Sequence, residues 1–128
     1  MMKIGESAEN YLETILILKN RNGIVRSIDI ANELNFSKPS ISIYMKNLKA
    51  AGYIDIDSHG IINLTESGRD IAETIYERHR LLSEWFIYLG VDEETAVKDA
   101  CRIEHVISPE SFAAIKKHVQ GGTNKSYI

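Results

Sequence analysis

The strongest constraint on the fold lies in the punctuation between residues 23 and 65. Turn and cap residues cut that stretch into pieces too short for anything but small, fixed elements. Asn20-Arg21-Asn22-Gly23 stops a first helix whose apolar positions Tyr11, Leu12, Ile15, Leu16 and Leu18 recur at helical spacing, with Ser7 as its expected cap. Ser27 opens a short helix through Leu34 with Ile28, Ile30, Ala31 and Leu34 on its apolar side, and Asn35-Phe36 makes a tight turn. Ser37 is the expected N-cap of a third helix, with Pro39 near its start where a missing N–H costs nothing; that helix stops at Gly52. Two β-branched runs, Tyr53–Ile56 and Ile61–Leu64, are joined by Asp57-Ser58-His59-Gly60 and read as a hairpin.

Helix, short helix, tight turn, capped helix, hairpin is the order of a winged helix-turn-helix, whose third helix enters the major groove of DNA. The third helix has the matching pattern. Ile41, Met45 and Leu48 share a core side, and Ser42, Lys46 and Lys49 share another. An isolated lysine-bearing helix face is ordinarily just solvated; the order of elements decides for DNA here. Ser37, Ser40 and Ser42 can donate to phosphates or base edges, Lys38 and Lys46 supply charge, and Ile43 can touch a thymine methyl. The net charge of −3 excludes a generic nucleic-acid coat, but no acidic residue occurs between Glu33 and Asp55, and Lys38, Lys46 and Lys49 fall in that gap. A phosphate-facing surface belongs there. His59 at the hairpin tip is given no role beyond its location.

Beyond the hairpin the chain turns helical and more acidic, with eight basic and eleven acidic residues from 65 on. Thr65 caps a long helix reaching Gly90, Asp92 caps a helix from Glu93 to about Ile107, and Ser108-Pro109-Glu110 starts a last helix ending near Gln120. Residues 121–128 read as a flexible tail. The expected organisation is a DNA-binding domain over 1–64, a helical domain over 65–120 and that tail. Trp85, Phe86 and Leu89 are expected in an apolar interface or core. No segment has the apolar length of a membrane span, and Met1-Met2-Lys3 leads into a polar stretch without a signal-peptide core, so no membrane partner and a cytoplasmic location are expected.

The only cysteine occurs in Asp99-Ala100-Cys101-Arg102-Ile103-Glu104-His105-Val106-Ile107-Ser108. At about 100° per residue, Glu104 and His105 each project within about 60° of Cys101 on a helix. A thiolate, a carboxylate and an imidazole suit a divalent first-row metal better than calcium or magnesium. Three donors do not complete a shell, and His79, Asn10 and Glu13 are candidates for the remainder. Taken singly, each residue type is more often a packing or surface residue; spacing alone leaves the metal reading and the packing reading about even. A small metalloenzyme using Glu104 as a base is the rival from another class, and no His-Glu-x-x-His helix or phosphate loop supports it.

Taken together, the hairpin-bearing first half, Arg78-His79-Arg80-Leu81-Leu82, Gly90-Val91-Asp92 and the Cys-Arg-x-Glu-His block resemble the diphtheria-toxin-repressor family of iron- and manganese-responsive transcriptional repressors. Ser37-Lys38-Pro39-Ser40-Ile41-Ser42 is similar to the start of that family's recognition helix. The resemblance implies a mainly α fold, with the winged helix-turn-helix followed by an all-helical dimerisation domain. It implies a homodimer that represses transcription by binding double-stranded operator DNA when loaded with Fe(II) or Mn(II), with Co, Ni or Zn able to substitute. It also implies the short, two-domain form without an SH3-like domain, control of metal-homeostasis genes, and no enzymatic activity. Carried over, the metal ligands are Cys101, Glu104, His105 and His79, with Glu13 where the manganese branch has a carboxylate. Asn10 stands where methionine or aspartate is usual and offers only an amide oxygen. Cys101 favours iron, yet Ser83 and Val97 replace the further glutamate and histidine of the iron branch. The helix face and the resemblance together make Ser37, Lys38, Pro39, Ser40, Ser42, Ile43, Lys46 and Lys49 the expected recognition surface. The alternatives are a metal-independent winged-helix factor and a thiol-based redox sensor.

Overall fold

A computed structural model describes residues 5–122. The described residues form six helices and one two-stranded sheet: α1 Glu6–Asn22, α2 Ser27–Leu34, α3 Lys38–Ala50, β1 Ile54–Ile56, β2 Ile62–Leu64, α4 Glu66–Tyr88, α5 Glu93–Ile103 and α6 Pro109–Gly122. They fall into two compact units, one ending at Thr74 and the other beginning at Ile75, so the division lies inside α4.

In the N-terminal unit, the expected apolar residues of α1 are all buried, but Ser7 lies within the helix. The N-cap is Gly5, in an extended conformation, without a side-chain cap. Glu6 and Glu9 occupy the first turn, where carboxylates complement the exposed N–H groups. On α2, Ile30 and Ala31 are buried while Ile28 is exposed: a helix of eight residues turns only a narrow stripe towards its neighbours α1 and α3. Arg26 precedes α2, and its backbone N–H donates to Asp29 Oδ2 at 2.9 Å.

Asn35 makes the helix-turn-helix corner with φ of 59°, a left-handed conformation that asparagine tolerates better than most residues. Ser37 caps α3 as expected, its hydroxyl accepting from the Ser40 N–H at 3.3 Å. Ile41, Met45 and Leu48 form the buried side of that helix.

The hairpin pairs Ile54 with Leu64, Asp55 with Asn63 and Ile56 with Ile62. This register buries Ile54, Ile62 and Leu64 and exposes Asp55, as the two-residue period of a strand requires. One further link leaves no mark in the pattern of side chains: the Ile62 N–H donates to the Val25 carbonyl at 2.8 Å, tying the hairpin to the segment between α1 and α2.

The C-terminal unit is built on Leu82, Ala100 and Phe112, with Leu81, Trp85, Phe86, Ile103, Ile107 and Ile115 packed partly buried against them. Trp85 and Phe86 therefore serve this core, while Leu89 is exposed. Helix α5 ends at Ile103, four residues before the expected Ile107. The next helix begins shortly after. Residues preceding proline are disfavoured in the helical region, and Ser108 turns its hydroxyl to the Ser111 N–H at 3.0 Å to cap α6 before Pro109. Helix α6 in turn runs through Gly121 and Gly122, two residues past its expected end at Gln120 and into the segment expected as a tail. The rest of that segment, 123–128, lies outside the described residues. Among the described residues no helix is long and apolar enough to cross a membrane.

Candidate metal centre and DNA-facing surface

Cys101 stands in the last turn of α5, Glu104 is its C-cap, and His105 lies just beyond in the turn. The expectation of one continuous helix under all three is thus corrected, but their convergence survives. Glu104 keeps φ of −58° and ψ of −25°. Its N–H still bonds to the Ala100 carbonyl at 2.9 Å, and the Ile107 N–H bonds to the Ile103 carbonyl at 3.0 Å. The backbone therefore continues with near-helical pitch past the formal helix end. One ligand-type atom from each of Cys101, Glu104 and His105 lies within 4.8 Å of the others.

Burial within this cluster is graded. Cys101 is exposed, His105 is buried and Glu104 is fully buried at 0% relative exposure. His79, on α4, brings Nδ1 to 2.8 Å from Glu104 Oε1. The other oxygen, Oε2, lies 3.5 Å from His105 Nε2 and makes no hydrogen bond. A carboxylate removed from water costs several kcal/mol unless charge or hydrogen bonds compensate it. One bonded imidazole leaves this carboxylate with spare negative charge and spare lone pairs. A divalent cation supplies what is lacking, and the sulfur, oxygen and nitrogen donors around it fit a first-row metal.

Arg78, immediately before His79, directs Nη1 to the carbonyl oxygens of Glu104 at 3.1 Å and Ile107 at 3.0 Å. This role of Arg78 is not legible in the sequence, since backbone carbonyls as partners leave no trace in side-chain spacing. Asn10 and Glu13 lie one helical turn apart on α1 in the N-terminal unit, Glu13 buried and Asn10 half-buried. Ser83 is buried with an Oγ that makes no hydrogen bond, and Val97 is exposed.

On α3, Lys38, Pro39, Ser40, Lys46 and Lys49 are exposed, Ser42 is half-buried and Ile43 is 62% exposed. Ser37 is exposed, but its hydroxyl is occupied, donating to Ser40 Oγ at 2.8 Å while capping the helix. The hairpin tip adds a residue missed from sequence. Arg26 Nε donates to the His59 carbonyl at 3.2 Å, fixing a guanidinium beside the turn.

The tip itself is organised by Asp57, whose Oδ1 accepts from the N–H groups of Ile61 at 3.0 Å and His59 at 2.8 Å. The Ile61 bond, seconded by that of His59, holds the Asp57 carboxyl below the usual carboxylate range. A depressed folded value means that the stabilisation is present above the unfolded pKa and is lost as pH falls through the folded one. The protection of the Ile61 amide relative to its intrinsic exchange rate is expected to fall as pH is lowered, with a midpoint below that of aspartate in an unfolded peptide. A midpoint at or above that value contradicts the assignment.

Comparison with known proteins places both halves. The family described as "Iron dependent repressor, N-terminal DNA binding domain" matches residues 3–60, and "Iron dependent repressor, metal binding and dimerisation domain" matches residues 65–124. An uncharacterised HTH-type transcriptional regulator of Methanocaldococcus jannaschii is 32% identical over 115 residues, covering 88% of this chain and 92% of that relative. The transcriptional regulator MntR of Escherichia coli is 31% identical over 115 residues, covering 90% of this chain and 74% of its own length. Among solved structures, that of a manganese-dependent transcriptional repressor in complex with manganese matches with a TM-score of 0.78 and 28% identity. The match covers 88% of this chain and 52% of that one, so the chain spans about half the length of that structure.

Proposed function

Because the chain belongs to the iron-dependent repressor family of transcriptional regulators, not to an enzyme family, we propose that it represses transcription by binding operator DNA as a homodimer when loaded with Fe(II) or Mn(II). The observation that carries the metal dependence is the fully buried Glu104, with one oxygen bonded to His79 and the other without a hydrogen bond, beside Cys101 and His105. A bound divalent ion would supply the positive charge that this carboxylate lacks. His79, Cys101, Glu104 and His105 are the donors this arrangement supports, and Asn10 and Glu13 are proposed as further ones on the resemblance alone.

We assign DNA binding to residues 1–64 and metal binding with dimerisation to 65–120. Lys38, Lys46 and Lys49 neutralise phosphates, joined at the hairpin by Arg26, and Ser37, Pro39, Ser40, Ser42 and Ile43 face the bases and sugar edges. Genes of metal homeostasis, read in the cytoplasm, are the proposed targets.

If metal tightens DNA binding, linkage requires DNA to tighten metal by the same factor. A duplex selected from a random-sequence library in the presence of metal provides the probe. Anaerobic titration is expected to show Mn(II) or Fe(II) raising its affinity by about 5- to 150-fold. The Fe(II), Mn(II) and Zn(II) curves together rank the metals, for which intrinsic affinity alone is no guide. An affinity that ignores all three metals, or a metal response unchanged in Cys101→Ala and His105→Ala, would sink the proposal.

A further inference from the structure

Arg78 performs a task that neither charge pairing nor core packing explains. Its guanidinium carbon stands 5.5 Å from the centroid of the Phe112 ring, its Nη1 serves the carbonyls of Glu104 and Ile107, and its Nε is buried without a hydrogen-bond partner. As a device for packing α4 against α6 this is costly, since a buried donor is left unsatisfied. The carbonyls it binds, however, bracket the segment that carries two candidate ligands. Near a helix C-terminus carbonyls lack intrahelical donors and present partial negative charge, so a cationic fork is a suitable clamp.

The position of Arg78 matters as much as its bonds. It adjoins His79 on α4, so one backbone step connects the clamp to a third ligand. Nor does it consume the carboxylate. Glu104 Oε1 is engaged by His79, and Oε2 makes no hydrogen bond at all. The positive charge is spent on main-chain oxygens while the acid beside it keeps a free acceptor.

We infer that Arg78 is a positioning residue of the metal centre, fixing the turn 104–107 to α4 before metal arrives so that Glu104 and His105 are already set against His79. The inference rests on the metal reading of Cys101, Glu104 and His105. It makes the centre preorganised on its helical side, with the ordering cost met during folding and not during binding.

Anaerobic Co(II) titration, read by the d–d and sulfur-to-cobalt absorption bands, tests it. Arg78→Met keeps length and apolar bulk but removes the donors. It is expected to weaken Co(II) binding by about tenfold or more, as loss of groups that orient ligands does, and to alter the bands. Arg78→Lys, still able to reach both carbonyls, is expected to recover much of the loss. Metal-free thermal melts check that both variants are folded. An Arg78→Met variant that binds Co(II) within twofold of wild type, with unchanged bands, overturns the inference while leaving the metal site standing. A wild type that binds no Co(II) removes the metal site and the inference together.

Should Arg78→Met fail to fold, the wild type decides. The Val106 and Ile107 amides, both bonded to the Ile103 carbonyl, are expected to resist hydrogen exchange already without metal. Protection that appears only on adding Co(II) would mean the turn is ordered by the ion and not by Arg78.

Discussion

Glu104→Gln is expected to abolish the metal response while leaving the metal-free protein folded and at least as stable as wild type. The two effects have opposite signs because they come from the same charge. In the absence of metal, a fully buried carboxylate carries a desolvation cost that the His79 bond only partly offsets, and a neutral amide of the same shape escapes it. The amide can still donate to His79 Nδ1, so the local geometry is preserved. Once a divalent ion is offered, the balance reverses, because the amide oxygen is a neutral and weaker donor. Losing one charged partner from a buried site costs on the order of 3 kcal/mol, more than a hundredfold in affinity.

Thermal melts with and without Mn(II) separate the two. Wild type is expected to gain stability with metal according to its affinity, as any ligand of the native state requires, and Glu104→Gln to show no gain over the same concentrations. A variant whose melting temperature rises with Mn(II) as wild type does would show that Glu104 is not a ligand. A metal-free variant much less stable than wild type would show that this carboxylate is a structural ion-pair partner first.

How much of this was readable beforehand varies with the kind of interaction involved. The helix-turn-helix and the hairpin were legible because turn and cap chemistry is local: Asn35, Ser37, Gly52 and Gly60 each do what their residue type favours, three of them at positive φ and one as a cap. The cluster at Cys101 was legible for a less secure reason. The spacing predicts convergence on a helix running to Ile107, whereas the helix ends at Ile103; the donors converge because the Ile107 N–H keeps a helix-like bond to Ile103. What stayed hidden depends on backbone atoms or on distant elements. The cap at Gly5, the link from Ile62 to Val25 and the Arg78 clamp involve main-chain groups, which every residue type carries alike. The division within α4 was equally silent, since its sequence runs from Glu66 to Tyr88 without glycine, proline or cap punctuation except at Gly68.

Gly68 shows what such a hidden constraint is worth. By helix propensity, replacing it with alanine inside α4 should stabilise by up to about 1 kcal/mol. The structure demands the opposite. A Cβ at this position would press into the carbonyl of Tyr53, reaching 2.9 Å from its carbon and nearer still to its oxygen. The obstacle is backbone and not a side chain that can swing aside. The same carbonyl accepts the Thr65 N–H at 3.1 Å, and the Thr65 hydroxyl, which caps α4 through the Gly68 N–H at 3.2 Å, donates to the Gly52 carbonyl at 2.7 Å. Moving Tyr53 therefore pulls on the entry to the hairpin and on the cap of α4 together. Overpacking of this kind costs about 3 kcal/mol or more when the neighbour cannot yield, which in a unit of this size lowers Tm by at least about 10 °C. Gly121→Ala in α6, where an added Cβ meets nothing within 4 Å, is the control expected to be neutral or slightly stabilising. Thermal unfolding of both, with hydrogen exchange at the Thr65 amide, provides the measurement. Were Gly68→Ala as stable as wild type with Thr65 still protected, α4 would not approach the Tyr53 carbonyl closely enough to exclude a Cβ, and the glycine would be a matter of composition and not of packing.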